Sequence, residues 1–338
     1  MTRVVARAPG RVNLIGDHTD YTGGLVLPMA VDLSTEVTLD RGGDRLRLVS
    51  ADDPAPADVP VRCAHPSAVD PPWARYVAAA SSMVPGAVGG TGTVRTTIPV
   101  GAGLASSAAL TVATALAVGH PHGALSLARL CQEAERRASG VRCGIMDPLV
   151  SAAGVEDHAL LLDCRSLTWD AVRLPAGLAV LVVHSGERRS LSFTAYGRRR
   201  AQCEAAERVI GPLRDADAAG VAAIADAEIR ARARHVVSEN ARVTEFAAAL
   251  AGGDVRAAGA LMVDSHRSLR DDFGVSTVVL DELVERLVAQ AGVHGARLTG
   301  AGFGGCVVAL ADQGVESTVG ARSWSVHASR GASLLDAA

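Results

Sequence analysis

Residues 93–119, TVRTTIPVGAGLASSAALTVATALAVG, set a glycine-bearing turn between a strand-forming run and an almost wholly apolar helix. Such a junction commits the chain to strands and helices packed in layers. Gly101 and Gly103 permit a tight backbone turn, and a helix starting near Ser106 offers unpaired N–H groups and a positive end to an anion. Ser106 and Ser107 could add hydroxyls to a phosphate or to its magnesium. A plain turn with a serine cap on a buried helix is the competing account. The run has neither the lysine of GxxxxGK[ST] nor the spacing of GxGxxG, so a nucleotide phosphate site here follows another plan.

The chain has 338 residues, enough for a substantial core and two domains. Hydrophobic residues make up 49%, charged residues 20%, and the net charge is −3. This disfavours a disordered chain and a nucleic-acid binder that relies on a basic face. Aromatics are only 3%, so the core must come largely from Ala, Val and Leu. Six widely spaced cysteines form no CxxC, which suggests neither a disulfide scaffold nor a cysteine-rich zinc site. The start, MTRVVARAPG, lacks the apolar stretch of a signal peptide, and no run approaches a membrane span. A cytoplasmic protein with no membrane or nucleic-acid partner is expected.

The spacing predicts a short strand at 3–7 ending at Pro9-Gly10, a polar crossing, a strand in 25–39, loop over 51–72 and a helix from Trp73 to Met83. An amphipathic helix follows over 126–138, ended by Gly140, then a short element at CGIMDPL and a strand at 159–163. The chain divides near 175, giving domains 1–175 and 176–338. The second opens on the strand GLAVLVVHS, continues through Ala/Arg/Glu helices to about 292, and closes with two strands around TGAGFGG.

Several polar residues carry chemistry in this frame. In GRVNLIGDHTDYTGG, Arg11, Asp17, His18, Asp20 and Tyr21 sit among glycines and can read neighbouring hydroxyls, since carboxylates accept and arginine donates in fixed geometry. A loop tied by local turns, or a metal site from His18, Asp17 and Asp20, would use the same residues. Glu135 lies at the edge of the buried face of its helix, where it could hold Mg²⁺ against phosphates or pair with an arginine. Asp147 is a candidate base with Arg11 as its partner, or a helix cap. TGAGFGGCV at 299–307 is either a hairpin turn or the second domain's wall of an active site. Cys306 reads as a buried structural thiol.

Together GRVNLIGDHTDYTGG, PVGAGLASSAAL, CGIMDPL and TGAGFGGC resemble the GHMP small-molecule kinases and, within them, the galactokinase branch. PPWARYV at 71–77, ALLLDCRSL at 159–167, HSGERRSLSFTAYGRRRAQCE at 184–204, ARHVVSENARV at 233–243 and MVDSHRSLRDDFGVS at 262–276 extend the likeness over nearly the whole chain. It implies an α+β fold of two domains, the N-terminal one like domain 2 of ribosomal protein S5 and the C-terminal one ferredoxin-like, with substrates in the cleft between them.

By this resemblance Asp147 is the general base at a sugar's anomeric hydroxyl and Arg11 stabilises its charge. His18, Asp20, Gly144 and Tyr196 line the sugar pocket, and Asp17 addresses its far hydroxyls. Gly101, Ala102, Gly103, Leu104, Ala105, Ser106 and Ser107 cradle the phosphates of ATP, Ser106 or Ser107 with Glu135 holds Mg²⁺, and Trp73 flanks adenine. A monomer acting on a small-molecule sugar and ATP is expected. Three positions depart from the family pattern: Asp17 stands where Glu is usual, Pro148 where Gln is usual, and Ala105 replaces the first serine of the phosphate turn. They leave room for a related sugar such as N-acetylgalactosamine, galacturonate or L-arabinose; a silent sugar- and ATP-binding regulatory protein on the same fold is a separate alternative, against which intact Arg11, Glu135 and Asp147 argue.

Overall fold

The computed structural model describes residues 2–121, 123–187 and 192–335, without the side chains of 192–194. Residues 188–191, part of the matched stretch at 184–204, lie outside the described residues.

Strands β1 (Thr2–Ile15) and β2 (Leu25–Arg41) form a long antiparallel ribbon. The break expected at Pro9-Gly10 does not occur. β1 runs straight through, and its pairing with β2 slips between Pro9 and Arg11. A proline has no amide to give to a ladder, and a register shift is where that loss is tolerated. A Cβ on Gly10 would lie 2.6 Å from the Leu104 carbonyl oxygen, so only glycine lets the phosphate turn press on this kink. Arg11 therefore stands in a buried strand and not in a polar loop.

The first sheet continues with β3 (Arg45–Ser50) and β4 (Ala57–Pro60). β4 corrects the expectation of loop throughout 51–72: Ala57 and Val59 are buried and Asp58 is exposed, an alternation too short to register among prolines and aspartates. Helix α1 (Ala74–Met83), strand β5 (Gly90–Thr96), and helices α2 (Ser106–Ala117), α3 (Ala124–Ser139) and α4 (Met146–Ala153) follow. β6 (His158–Asp163) pairs with β2 and with β7 (Thr168–Arg173). α2 is buried at every residue from Ala108 to Ala117, as its apolar composition requires. α3 buries the stripe Leu127, Cys131, Ala134, Glu135 and Ala138, and Gly140 ends it at φ 76°.

The second half begins with β8 (Leu178–His184), followed by α5 (Ser192–Ile210), α6 (Ala218–Ala222), α7 (Ala227–Ala251), α8 (Val255–Ser268) and α9 (Val278–Val288). β9 (Val293–Thr299), β10 (Cys306–Asp312) and β11 (Arg322–Val326) complete an antiparallel sheet in the order β11-β8-β10-β9. Leu181, Val183, Leu298 and Val307 pack with Phe273 and Leu280 in a core of its own. Asp217, Asp226, Asp254 and Thr277 cap α6 to α9 through their side chains. α2 and α4 start without such a cap.

The chain then crosses back. Ser329 N–H donates to Ala30 O (3.0 Å), Gly331 N–H to Gly154 O (2.7 Å) and Ala332 N–H to Ser151 O (2.8 Å). The last strand, β12 (Ser333–Leu335), pairs with Val5 to Arg7 of β1, so the first sheet borrows its edge from beyond residue 326. The architecture is that of two sheet domains of α+β type.

Candidate active site

A cavity of about 690 Å³ gathers the expected residues from both halves. Arg11 comes from β1, Asp17, His18 and Asp20 from the segment after it, and Gly144 and Asp147 from the approach to α4. Tyr196 projects from α5, and Gly300 and Ala301 from the turn after β9.

Arg11 connects two parts of this wall. Its Nε donates to Asp147 Oδ1 at 2.7 Å and its Nη2 to Asp147 Oδ2, while Nη1 donates to the Gly103 carbonyl at 2.6 Å. The fork thus holds a carboxylate and the phosphate turn together. Asp147 is not a cap: Ile145 occupies the cap position of α4, and the Asp147 carboxylate is turned to Arg11.

The turn itself has Gly101 at φ 81° and Gly103 at φ 83°, both closed to most side chains. Ala105 occupies the cap position of α2 in the left-handed region, φ 58°, and makes no side-chain cap, so the serine-cap account is not what the structure has. The first N–H groups of α2 are left to an outside acceptor. Gly101, Gly103, Ala105, Ser106 and Ser107 line the cavity. Ala102 and Leu104 turn into the core instead, 2% and 1% exposed.

Glu135 is buried on α3 behind the turn and is not on the cavity wall. Burial pushes its carboxyl up to about 7, against a hydrogen bond from Ser107, with the Asp147 charge adding to the rise. The alternative ion pair with an arginine is not formed among the described residues; Glu133, half-buried two residues earlier, takes Arg136 and Arg137. No group of three or more His, Cys, Asp and Glu side chains placed to hold a metal exists among the described residues, and a trio of His18, Asp17 and Asp20 is therefore ruled out.

His18, at φ 68°, stacks on Phe273 at 4.6 Å between centroids, and its Nδ1 lies 3.0 Å from the Tyr21 hydroxyl. Burial drives its pKa down to about 3, so it is neutral and presents an uncharged ring to a ligand. Burial and then the nearby Asp147 raise Asp20 to about 7. A Cβ on residue 144 would fall 1.5 Å from Asp20 Oδ2, which restricts that position to glycine.

Asp17 is held from the other half of the chain. Arg297 Nη2 donates to its Oδ2 at 2.6 Å and the Gly300 amide to its Oδ1 at 3.1 Å. Arg297 was not singled out by motif reading. The available signal was a lone arginine inside the apolar strand preceding TGAGFGG.

Trp73 lines the cavity with Ser50, Asp52, Asp53 and Tyr76, and its indole N–H donates to Ala55 O at 3.2 Å. Cys306 is fully buried in β10, away from this wall.

Comparison with known proteins identifies the family. A galactokinase galactose-binding signature matches residues 2–41, a GHMP kinases N terminal domain residues 74–155, and a GHMP kinases C terminal domain residues 246–322. The chain is 45% identical to the galactokinase of Homo sapiens over 90% of its own length and 82% of the human protein. It is 44% identical to that of Canis lupus familiaris, over 92% and 84%. The galactokinase of Lactococcus lactis, solved with galactose, superposes with a TM-score of 0.88 at 28% identity, covering 98% of this chain and 95% of that one. The mevalonate kinase of Methanococcus jannaschii shares the fold alone, with a TM-score of 0.71 at 19% identity over 97% and 99% of the two chains. Motif, fold and cavity lead to one assignment: the chain belongs to the galactokinase family of the GHMP kinases.

Proposed function

We infer that this enzyme transfers the γ-phosphoryl group of ATP to the anomeric hydroxyl of α-D-galactose, giving α-D-galactose 1-phosphate and ADP. The observation that carries the reading is the Arg11 fork, which joins Asp147 to the carbonyl of Gly103 in the phosphate turn. A sugar hydroxyl beside Asp147 is thereby beside the γ-phosphate of an ATP seated on α2. Asp147 takes the proton of that hydroxyl as it attacks, and Arg11 and the open amides of the turn stabilise the negative charge that spreads over the transferring group.

The sugar lies against His18, Asp20, Gly144 and Tyr196, with Asp17 toward the C6 end. Adenine lies by Trp73. The buried Glu135 carboxylate, bonded to Ser107 and without a cation of its own, fits a hard divalent ion. Glu135 with Ser106 or Ser107 would hold Mg²⁺, which neutralises phosphate charge when bound. The working unit in this reading is a monomer, acting in the cytoplasm on ATP.

The test is ADP release with galactose, N-acetylgalactosamine, galacturonate, L-arabinose, glucose and mevalonate. Galactose is expected to give the highest kcat/KM. A higher value for any other alcohol would overturn the substrate, and no ADP release with any of them would overturn the activity.

A further inference from the structure

Asp17 sits on the cavity wall, yet nearly everything that fixes it comes from the C-terminal half. Arg297 on β9 donates to Oδ2 at 2.6 Å, the Gly300 amide to Oδ1 at 3.1 Å, and His235 on α7 reaches the Asp17 carbonyl at 3.1 Å. Arg297 is fully buried and absent from the cavity wall, so it touches no substrate. Its other terminal nitrogen, Nη1, donates to Leu14 O at 3.1 Å and to Asn13 O at 3.4 Å. Thr299, two residues on, gives its hydroxyl to the same Asn13 carbonyl at 3.0 Å. One guanidinium therefore fastens both the end of β1 and the carboxylate that follows it.

We propose that Arg297 is a positioning residue for sugar recognition: from the second domain it sets the place and charge of the Asp17 carboxylate, and through it discrimination at the C6 end of the sugar.

The physical case has three parts. Burial of a carboxyl that is 3% exposed pushes its pKa above the usual range, and the Arg297 guanidinium bonded to it is the main charge that opposes the rise. Arg297 and the Gly300 amide each donate to a different Asp17 oxygen, and a carboxylate oxygen has a second lone pair that can accept from a hydroxyl. The short Asp side chain cannot follow a ligand as Glu could, so its reach is set by where β9 holds it. Without Arg297 the carboxyl would take a proton and turn from acceptor to donor, which changes what it selects.

The inference rests on galactose being the substrate and Asp17 facing C6. The experiment compares wild type, Arg297→Met, Arg297→Lys and Asp17→Asn on galactose and on L-arabinose, which lacks C6, with KM for ATP measured in parallel. Arg297→Met is expected to raise KM for galactose by at least roughly tenfold, the scale of losing one hydrogen bond to a charged group, and to leave KM for ATP within about twofold. The galactose to L-arabinose preference should fall with it, and Arg297→Lys, which keeps the charge, should recover part of it. Asp17→Asn removes the same charge without emptying the site, and it should reproduce the lost preference even if Arg297→Met does not fold. A preserved preference in Asp17→Asn overturns the proposal, as does an equal loss on both sugars or a KM for ATP that rises in step in Arg297→Met. Wild type turning over no galactose would instead remove the substrate assignment, a different failure that the same assay displays.

Discussion

Arg11 commits its three nitrogens to two partners, and Asp147 has both oxygens in that fork. Asp147→Asn keeps the size of the side chain, leaves Arg11 one acceptor oxygen in place of two, and removes the carboxylate proposed to take the proton. Its fold and ATP binding should persist while kcat falls by at least about 10²-fold, measured by ADP release beside a melting curve. Asp20 makes a prediction of opposite character. Its folded pKa, about 7, lies above its ordinary 3.8, so the folded protein holds this proton more tightly than the unfolded chain. That stability is complete below about pH 4 and is lost as pH rises through about 7. Asp20→Asn should thus raise the ligand-free Tm by a few degrees at pH 8, by less at pH 5 and hardly at all near pH 4, while weakening sugar binding. The motif residues could be read from the sequence because their types are tied to hydroxyls and phosphate. Arg297 and His235 could not, since their roles arise only when β9 and α7 meet the end of β1.

At the scale of elements, α2 and α3 were legible because a wholly apolar run and a stripe at helical spacing have few other solutions. β1 was not, because Pro9 and Gly10 are ordinary stop signals, and only pairing with β2 shows that a register shift absorbs them. The α2–α3 contact at Ser107 and Glu135 also separates packing from chemistry. If Glu135 were structural, Glu135→Gln would lower the ligand-free Tm. A buried carboxylate without a cation gains from becoming an amide, so that Tm should not fall. If Glu135 holds Mg²⁺ as proposed, the Mg²⁺ concentration for half-maximal rate should rise several-fold, read from a magnesium titration of kcat.

For the whole molecule, the second sheet begins at Leu178, and the chain returns at β12 to the first sheet. Composition says nothing about that return, for Ser333–Leu335 is three residues long and its partner lies at the opposite end of the sequence. The strap before it bonds to Ser151 and Gly154 at the C-terminal end of α4, whose first turn carries Asp147. Removing residues 327–338 should lower both Tm and kcat and promote aggregation, because it unseats α4 and leaves the outer edge of β1 unpaired. Light scattering together with kcat of the soluble fraction checks this; a truncated protein with unchanged scattering and kcat would show that the strap holds nothing.

The pairing of Val5 to Arg7 with Ser333 to Leu335 also sets a timetable for biosynthesis. β1 leaves the ribosome well before the strand that seals its edge, which lies far along the chain. At about 5–20 residues per second, the delay is some tens of seconds. Throughout it the nascent sheet has an open backbone edge, so the hazard of misassociation is greatest in that interval and falls when β12 docks.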